Sequence, residues 1–289
     1  MTPPLDVKHV RHAFGRAAAT YDAHAVLQHE VEQRLLDRLE YVEGEPARVL
    51  DVGCGPGNAA LTLRRRWKSA HVVALDLALP MLRRIRPGWL HPLARVNADA
   101  RALPLADASV DVLFSSLCMQ WIDDVPALFD EFRRVLRPRG YLAISTFGPD
   151  TLHELRAAWA QVDRAPHVGR FADIARVGDA LMQAGFRDPV LDAERFTLTY
   201  ADAGALMREL KAIGATNADA ARTRGLTGKS QWRGMLEAYE SYRQDGLLPA
   251  TYEVIYAHAW SPEPGQPRRG RGSGEIATFP VDRLRGSRR

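Results

Sequence analysis

The stretch Val49-Leu-Asp-Val-Gly-Cys-Gly-Pro-Gly57 decides the fold. Arg48 to Val52 reads as a short apolar strand, the glycine-rich turn follows at once, and a helix begins near residue 58. Glycines let a backbone turn sharply and approach a ligand closely. The helix behind them offers free backbone N–H groups to an acceptor. A phosphate-binding loop of this shape would seat a pyrophosphate at that helix end. Here Asp51 stands ahead of the first glycine. A carboxylate there opposes a phosphate and suits a cation.

The same alternation continues downstream. His71 to Asp76 reads as a second strand, 79–86 as a helix, 93–97 and Val110 to Ser115 as strands, 125–136 as a helix and Tyr141 to Phe147 as a strand. Strands alternating with helices imply βαβ units and a parallel sheet with helices on both faces, an α/β class. Upstream, 24–41 reads as an amphipathic helix carrying Leu27, Val31, Leu35 and Leu39, ended by Gly44 and Pro46. Beyond the sheet core, 151–163 and 173–184 read as helices around a polar loop, Val190 to Tyr200 as a strand, 202–213 and 230–243 as helices, and Thr251 to Trp260 as a strand. The expected organisation is one domain over 1–262. It carries an N-terminal helical lid segment over about 5–41 and a helical insertion over about 202–244, before the last strand. A basic tail over 263–289 is expected to lack order.

Composition narrows the class. A hydrophobic fraction of 46% and a charged fraction of 26% are those of a globular protein. No apolar run reaches the roughly 18–20 residues of a membrane helix, and Met1 to Arg11 has no signal-peptide core, so a soluble cytoplasmic protein, monomeric and without a membrane partner, is expected. The two cysteines, Cys54 and Cys118, form no metal-ligand spacing and read as small buried residues, so no metal is expected. The net charge of +4 owes much to arginines after residue 267 and does not by itself point to nucleic acid.

Asp76 ends the second strand, where a carboxylate can accept from both hydroxyls of a ribose. Leu77 and Met81 follow and could press on a base. In Asn97-Ala-Asp-Ala100, Asp99 can accept from an exocyclic amine and the Ala100 N–H can donate to a ring nitrogen. Taken with Gly53, Gly55 and Gly57, these residues stand at the ends of successive strands, where open α/β sheets bind ligands. In this order and spacing they resemble the class I S-adenosylmethionine-dependent methyltransferases, as do Leu103-Pro-Leu105, Val110-Asp-Val-Leu-Phe114 and Leu136-Arg-Pro-Arg-Gly-Tyr-Leu142. The resemblance is strong over about 45–147. It implies a Rossmann-like seven-stranded sheet, with Val190–Tyr200 and Thr251–Trp260 as its last antiparallel pair, and S-adenosyl-L-methionine as cofactor, whose amino group and sulfonium are cationic.

The flanks narrow the family. Val10-Arg-His-Ala-Phe-Gly-Arg-Ala-Ala-Ala-Thr-Tyr-Asp22, Leu27-Gln28, Ser116-Leu-Cys-Met-Gln-Trp121, His167-Val-Gly-Arg-Phe171 and Leu210-Lys-Ala-Ile-Gly-Ala-Thr-Asn217 together resemble the malonyl-acyl-carrier-protein O-methyltransferases of biotin synthesis, over about 8–260. That resemblance implies methylation of the free carboxylate of a malonyl thioester on acyl carrier protein. A carboxylate is already ionised at neutral pH, so positioning groups rather than a strong base are expected. Tyr21, Arg170 and Phe171 are the catalytic candidates: Tyr21 to orient a carboxylate oxygen, Phe171 to close the channel, Arg170 to bind the acid. Gln120, Trp121 and His167 are the substrate candidates. Arg208, Lys211, Arg222, Arg224 and Lys229, in the insertion, are candidates to steer an acidic carrier protein.

Two other readings stand beside this one. The same terminal patterns resemble a mitochondrial complex I assembly factor linked to arginine hydroxylation of a partner, although Met1 to Val10 is not Arg- and Ser-rich as a mitochondrial leader would be. A small-molecule methyltransferase would call for a plainly apolar lid, whereas 164–171 is mixed and basic.

Overall fold

The computed structural model describes residues 5–86, 93–223, 225, 227–263, 268–269 and 275–276. In chain order the sheet strands are β1 (Arg48–Val52), β2 (His71–Asp76), β3 (Ala94–Asn97), β4 (Val110–Ser116), β5 (Leu136–Phe147), β6 (Arg187–Tyr200) and β7 (Leu248–Trp260). Across the sheet they run β3-β2-β1-β4-β5-β7-β6. The first five pair in parallel, and β7 joins β5 and β6 antiparallel. This is the sheet the family resemblance implies, including its last antiparallel pair. The chain reverses order at β1 and β4, so a crevice opens at the carboxyl ends of these strands.

The helices are α1 (Val7–Ala17), α2 (Tyr21–His24), α3 (Val26–Asp37), α4 (Asn58–Arg66), α5 (Leu79–Leu82), α6 (Val125–Val135), α7 (His153–Ala160), α8 (Ile174–Gln183), α9 (Ala203–Ala212) and α10 (Lys229–Glu240). The two-residue period of β1 divides the core. Val49 packs with Leu27, Val31 and Leu35 of α3 and Leu63 of α4. Leu50 and Val52 point to the other face and pack with Phe129 and Phe132 of α6 and Leu181 of α8. Asp51 shares the Val49 face, which puts a carboxylate among α3 and α4 at 1% exposure. Helix starts follow acidic caps: Asp6, Asp124, Asp173 and Asp202 each accept the N–H three residues on, at 2.7–3.0 Å.

Several boundaries differ from the expected ones. The 24–41 helix ends at Asp37 and tightens into a 3₁₀ turn over Arg38–Tyr41. The 79–86 helix is a single turn, and 151–163 shortens to α7. β5 begins five residues early, because Leu136 already pairs with Val110 before an irregularity brings Tyr141 opposite Val112. In the tail, Arg268–Arg269 pairs antiparallel with Glu275–Ile276, and of the segment expected to lack order 264–267, 270–274 and 277–289 lie outside the described residues. Among the described residues, no helix is long and apolar enough to cross a membrane.

The N-terminal helices and the 202–244 segment, expected to be a lid and an insertion, are tied together. Asp6 N–H donates to Ala218 O at 2.8 Å, and Thr20 Oγ1 donates to Ala212 O at 2.7 Å. His9 Nε2 lies 3.0 Å from Thr216 Oγ1. Arg222, read from sequence as a docking cation, is instead part of this tie. It is 16% exposed, and its Nη2 lies 3.1 Å from Asp6 Oδ2. Of the other docking candidates, Arg208 and Lys229 are exposed, Lys211 is exposed and lines a cavity described below, and Arg224 lies outside the described residues.

Candidate active site

The loop after β1 is set by left-handed backbone. Gly53 has φ +72° and Gly55 φ +52°. A Cβ on Gly53 would stand 2.6 Å from the Cβ and Sγ of Cys118, whereas one on Gly55 would meet nothing within 4 Å. Gly53 is therefore the close approach of two chain segments, and Gly55 faces open space where a ligand can sit. Gly53 N–H and Cys54 N–H both donate to Leu75 O, at 2.8 and 3.0 Å, which clamps the loop to β2. Gly57 (φ +90°) hands the chain to α4 and backs onto Ile85.

Asp76 organises this crevice. Its Oδ2 accepts from Gly55 N–H at 2.9 Å and its Oδ1 from Ala78 N–H at 2.7 Å. Burial raises its carboxyl to about 6, against the lowering effect of these two bonds. Leu77 and the buried Met81 line the same recess, together with Asp99 and Ala100. Asp99 is less free than its sequence position suggests, since Arg101 donates to both of its oxygens, at 3.0 and 2.6 Å. Cys54 is buried as expected, but Cys118 is only half-buried and faces the recess. Helix α1 covers this recess with Val7, Val10, Arg11 and Phe14, and Phe14 meets Trp121 edge-on at 5.2 Å.

A deeper pocket adjoins it between α3, β1 and α4, lined by Tyr21, Gln28, Glu32, Asp51, Gly53 and Asn58 among others. Tyr21 lines both recesses, and its hydroxyl is pushed up by burial and then by Glu32 and Asp76. Asp51 is raised well above the carboxylate range by burial, with Glu32 and Asp76 adding to it. Its Oδ2 is buried without a partner. Glu32 went unnoticed in the sequence. Its signal was the i, i+4 spacing from Gln28, which puts both on one helix face.

A third cavity, of about 450 Å³, lies beyond Trp121, which lines it as well as the first recess. It takes in Gln120, His167, Arg170 and Phe171, so the structure brings these candidates together; Tyr21 lines the neighbouring recesses instead. Gln120 is held by Leu117 O at 2.7 Å. Phe171 packs against Phe147 at 5.7 Å. His167 is not a free imidazole: its Nε2 lies 2.8 Å from Asp163 Oδ1 and its ring stacks on Trp159 at 3.7 Å, so it builds the wall. Trp159 and Trp232, also missed from sequence, complete that wall. Among the described residues, Arg170 and Lys211 have no carboxylate partner and no Asp or Glu lines this cavity.

The arrangement is electrostatically polar. One side presents Asp51, Glu32 and Asp76, with Asp99 paired to Arg101 and Arg11 above them, and the other presents Arg170, Lys211 and the Asp6-paired Arg222 on an apolar wall. An orphaned buried carboxylate, open space at Gly55 and the Asp76 carboxylate at the strand end together fit a cationic nucleoside.

Comparison with known proteins agrees. A family model described as a methyltransferase domain matches residues 50–144. The malonyl-[acyl-carrier protein] O-methyltransferase of Xylella fastidiosa is 52% identical over 284 residues, covering 97% of this chain and 96% of that protein. The enzyme of the same name from Gallionella capsiferriformans is 50% identical, covering 92% and 94%. The solved structure of the YcgJ protein from Bacillus subtilis shares the fold, with a TM-score of 0.55 at 16% identity, covering 79% of this chain and 98% of that one. Likeness at half identity over nearly the full length of both proteins leaves one assignment: the chain belongs to the malonyl-[acyl-carrier protein] O-methyltransferase family.

Proposed function

We propose that the protein transfers a methyl group from S-adenosylmethionine to the free carboxylate of a malonyl group carried on acyl carrier protein. The neutral ester would then serve as the primer for the chain elongation that leads to biotin. The observation that carries this reading is the polarity of the site. A recess lined by Asp76 and the Arg101-paired Asp99, with Arg11 above them, and continuous through Gly53 and Gly55 with the Asp51–Glu32 pocket, meets at Trp121 a cavity whose charged linings among the described residues are Arg170, Lys211 and the Asp6-paired Arg222.

When bound, S-adenosylmethionine supplies an electrophilic methyl group on a sulfonium sulfur. Asp76 would hold the ribose hydroxyls, Ala100 N–H and Asp99 the adenine edge, Leu77 and Met81 its faces, and Asp51 the cationic end, around the loop of Gly53, Gly55 and Gly57. Arg170 and Lys211 would hold the malonyl carboxylate by charge-assisted hydrogen bonds. No residue need remove a proton, since that carboxylate is ionised near neutrality. Trp121, standing in both cavities, and Phe171 exclude water, while Tyr21, from the recess on the cofactor side, would orient the attacking oxygen. Esterification cancels the acceptor's charge and so weakens its hold on Arg170 and Lys211, which favours product release. Exposed Arg208 and Lys229 add positive field on the insertion for an acidic carrier.

Mass spectrometry of malonyl carrier protein after incubation with cofactor tests this: a gain of one methyl is expected, and unchanged carrier would reject it. Tyr21→Phe should lower kcat about tenfold, the worth of one oriented hydrogen bond, and leave cofactor affinity unchanged. Stopped-time assays beside calorimetric titration would check both. Unchanged turnover would remove Tyr21 from this role.

A further inference from the structure

We infer that Glu32, on helix α3, is a second carboxylate for the cofactor's α-ammonium group, holding it jointly with Asp51 over the first turn of α4. The inference rests on the S-adenosylmethionine reading of the recess and goes beyond its loop residues.

The argument begins at α4. Its N-cap is Gly57, which has no side chain to satisfy the first N–H groups of the helix. Glu32 faces the Ala59 N–H and Asp51 faces the Ala60 N–H. A helix N-terminus carries roughly half a positive charge, enough to favour one carboxylate nearby but not two. The remaining charges facing Glu32 do not make up the difference. Asp22, after the lid helix, adds a third acid, and its Oδ1 accepts from Asn58 at 3.0 Å. His29 stands 3.9 Å from that same Asp22 oxygen. Asp51 comes from β1 and Asp76 from the end of β2. No Lys or Arg lines this recess among the described residues.

The consequence is visible in both acids. Burial, and then Asp22, raise Glu32 to about 7, with the Ala59 N–H opposing. Asp51 keeps one oxygen buried and unpartnered. The recess has room for about 30 Å³, the space of one small polar group such as an ammonium head and far too little for a nucleoside. It adjoins the larger recess through Gly53, Gly55 and Tyr21, which line both. An ammonium there would offer its donors to two carboxylates and balance the surplus charge.

The sign of the pH dependence follows. Without a cation, protonated Glu32 is the favoured form, so the free protein loses stability as pH rises through about 7. A bound ammonium favours the ionised form, so affinity for a ligand bearing it rises over the same range. The test compares S-adenosylhomocysteine, which carries the ammonium, with 5′-methylthioadenosine, which lacks it, by calorimetric titration. For the intact protein, S-adenosylhomocysteine affinity should rise about tenfold more than methylthioadenosine affinity between about pH 6 and about pH 8, the latter rising only about twofold as Asp76 at the ribose ionises. Glu32→Gln keeps the shape and removes the charge. It should weaken the homocysteine ligand about tenfold at about pH 8, reduce its pH slope to that of methylthioadenosine and spare methylthioadenosine itself. Equal weakening of both ligands, or none, would overturn the inference. Should the variant not fold, a homocysteine-ligand affinity that rises no more than that of methylthioadenosine in the intact protein would overturn it alone. Absence of binding by either ligand to the intact protein would instead reject the cofactor reading.

Discussion

Gly53→Ala should weaken cofactor binding by at least about 100-fold, with the fold retained. Two costs combine at this residue. Alanine in the left-handed region costs about 1–2 kcal/mol, and Gly53 sits at φ +72°. The new Cβ would also stand 2.6 Å from the Cβ and Sγ of Cys118. Relieving an overpacked contact of this kind costs about 1–3 kcal/mol of backbone movement. That movement cannot stay local, because Gly53 N–H is bonded to Leu75 O and the next turn presents Gly55 N–H to Asp76. Shifting the loop therefore disturbs the carboxylate assigned to the ribose. Gly44→Ala is the control. It has the same φ of +72°, but its Cβ would meet nothing within 4 Å, and it lies outside the site. It should cost about 1 kcal/mol of stability and leave titration with S-adenosylhomocysteine unchanged. Equal affinities for Gly53→Ala and the parent protein would mean that the ligand does not bind against this loop.

The second large effect concerns the acceptor. Arg170→Ala and Lys211→Ala should each lower kcat/KM for malonyl carrier protein about tenfold, and the double variant about 100-fold or more. Cofactor affinity should not change, since neither residue lines the recess assigned to the cofactor. A charge-assisted hydrogen bond to a carboxylate contributes about 1.5–3 kcal/mol, and losing one of the two leaves the acid in a largely apolar cavity with a single unpaired cation among the described residues. The two residues serve one group, so their effects need not add. Repeating the series with malonyl-pantetheine separates two roles. If the cations read the acyl carboxylate, the loss persists on the small thioester. If it vanishes there, they only steer the carrier, and the carboxylate assignment fails.

The parallel half of the fold was legible because its signals are local. Glycines at 53, 55 and 57, the acid ahead of them and the alternating strand and helix patterns state their geometry within a few residues. What escaped depends on which segments meet. Glu32 sits between buried Val31 and exposed Gln33, on a helix whose polar residues read as a solvated face. Only the approach of α3 to α4 makes it a neighbour of Asp51. Arg222 and Lys211 read alike as surface cations of the insertion. Both line the cavity, but folding pairs Arg222 with Asp6 and leaves Lys211 without a partner among the described residues. His167 shows the converse: its grouping with Gln120, Arg170 and Phe171 was legible, but its engagement by Asp163 and Trp159 required the packed loop. Strand limits slipped where pairing partners, not propensity, extend a strand, as at Leu136 and Leu248.

One measurement bears on the central claim most directly. Cofactor labelled in its methyl group is mixed with the protein and either malonyl or acetyl carrier protein, and the carrier is then recovered and treated with mild base. Label should pass to the malonyl form alone and be released by base as methanol, the mark of a carboxyl ester. Label on both carriers, label that survives base, or no transfer despite demonstrated cofactor binding would contradict carboxyl methylation of the malonyl group.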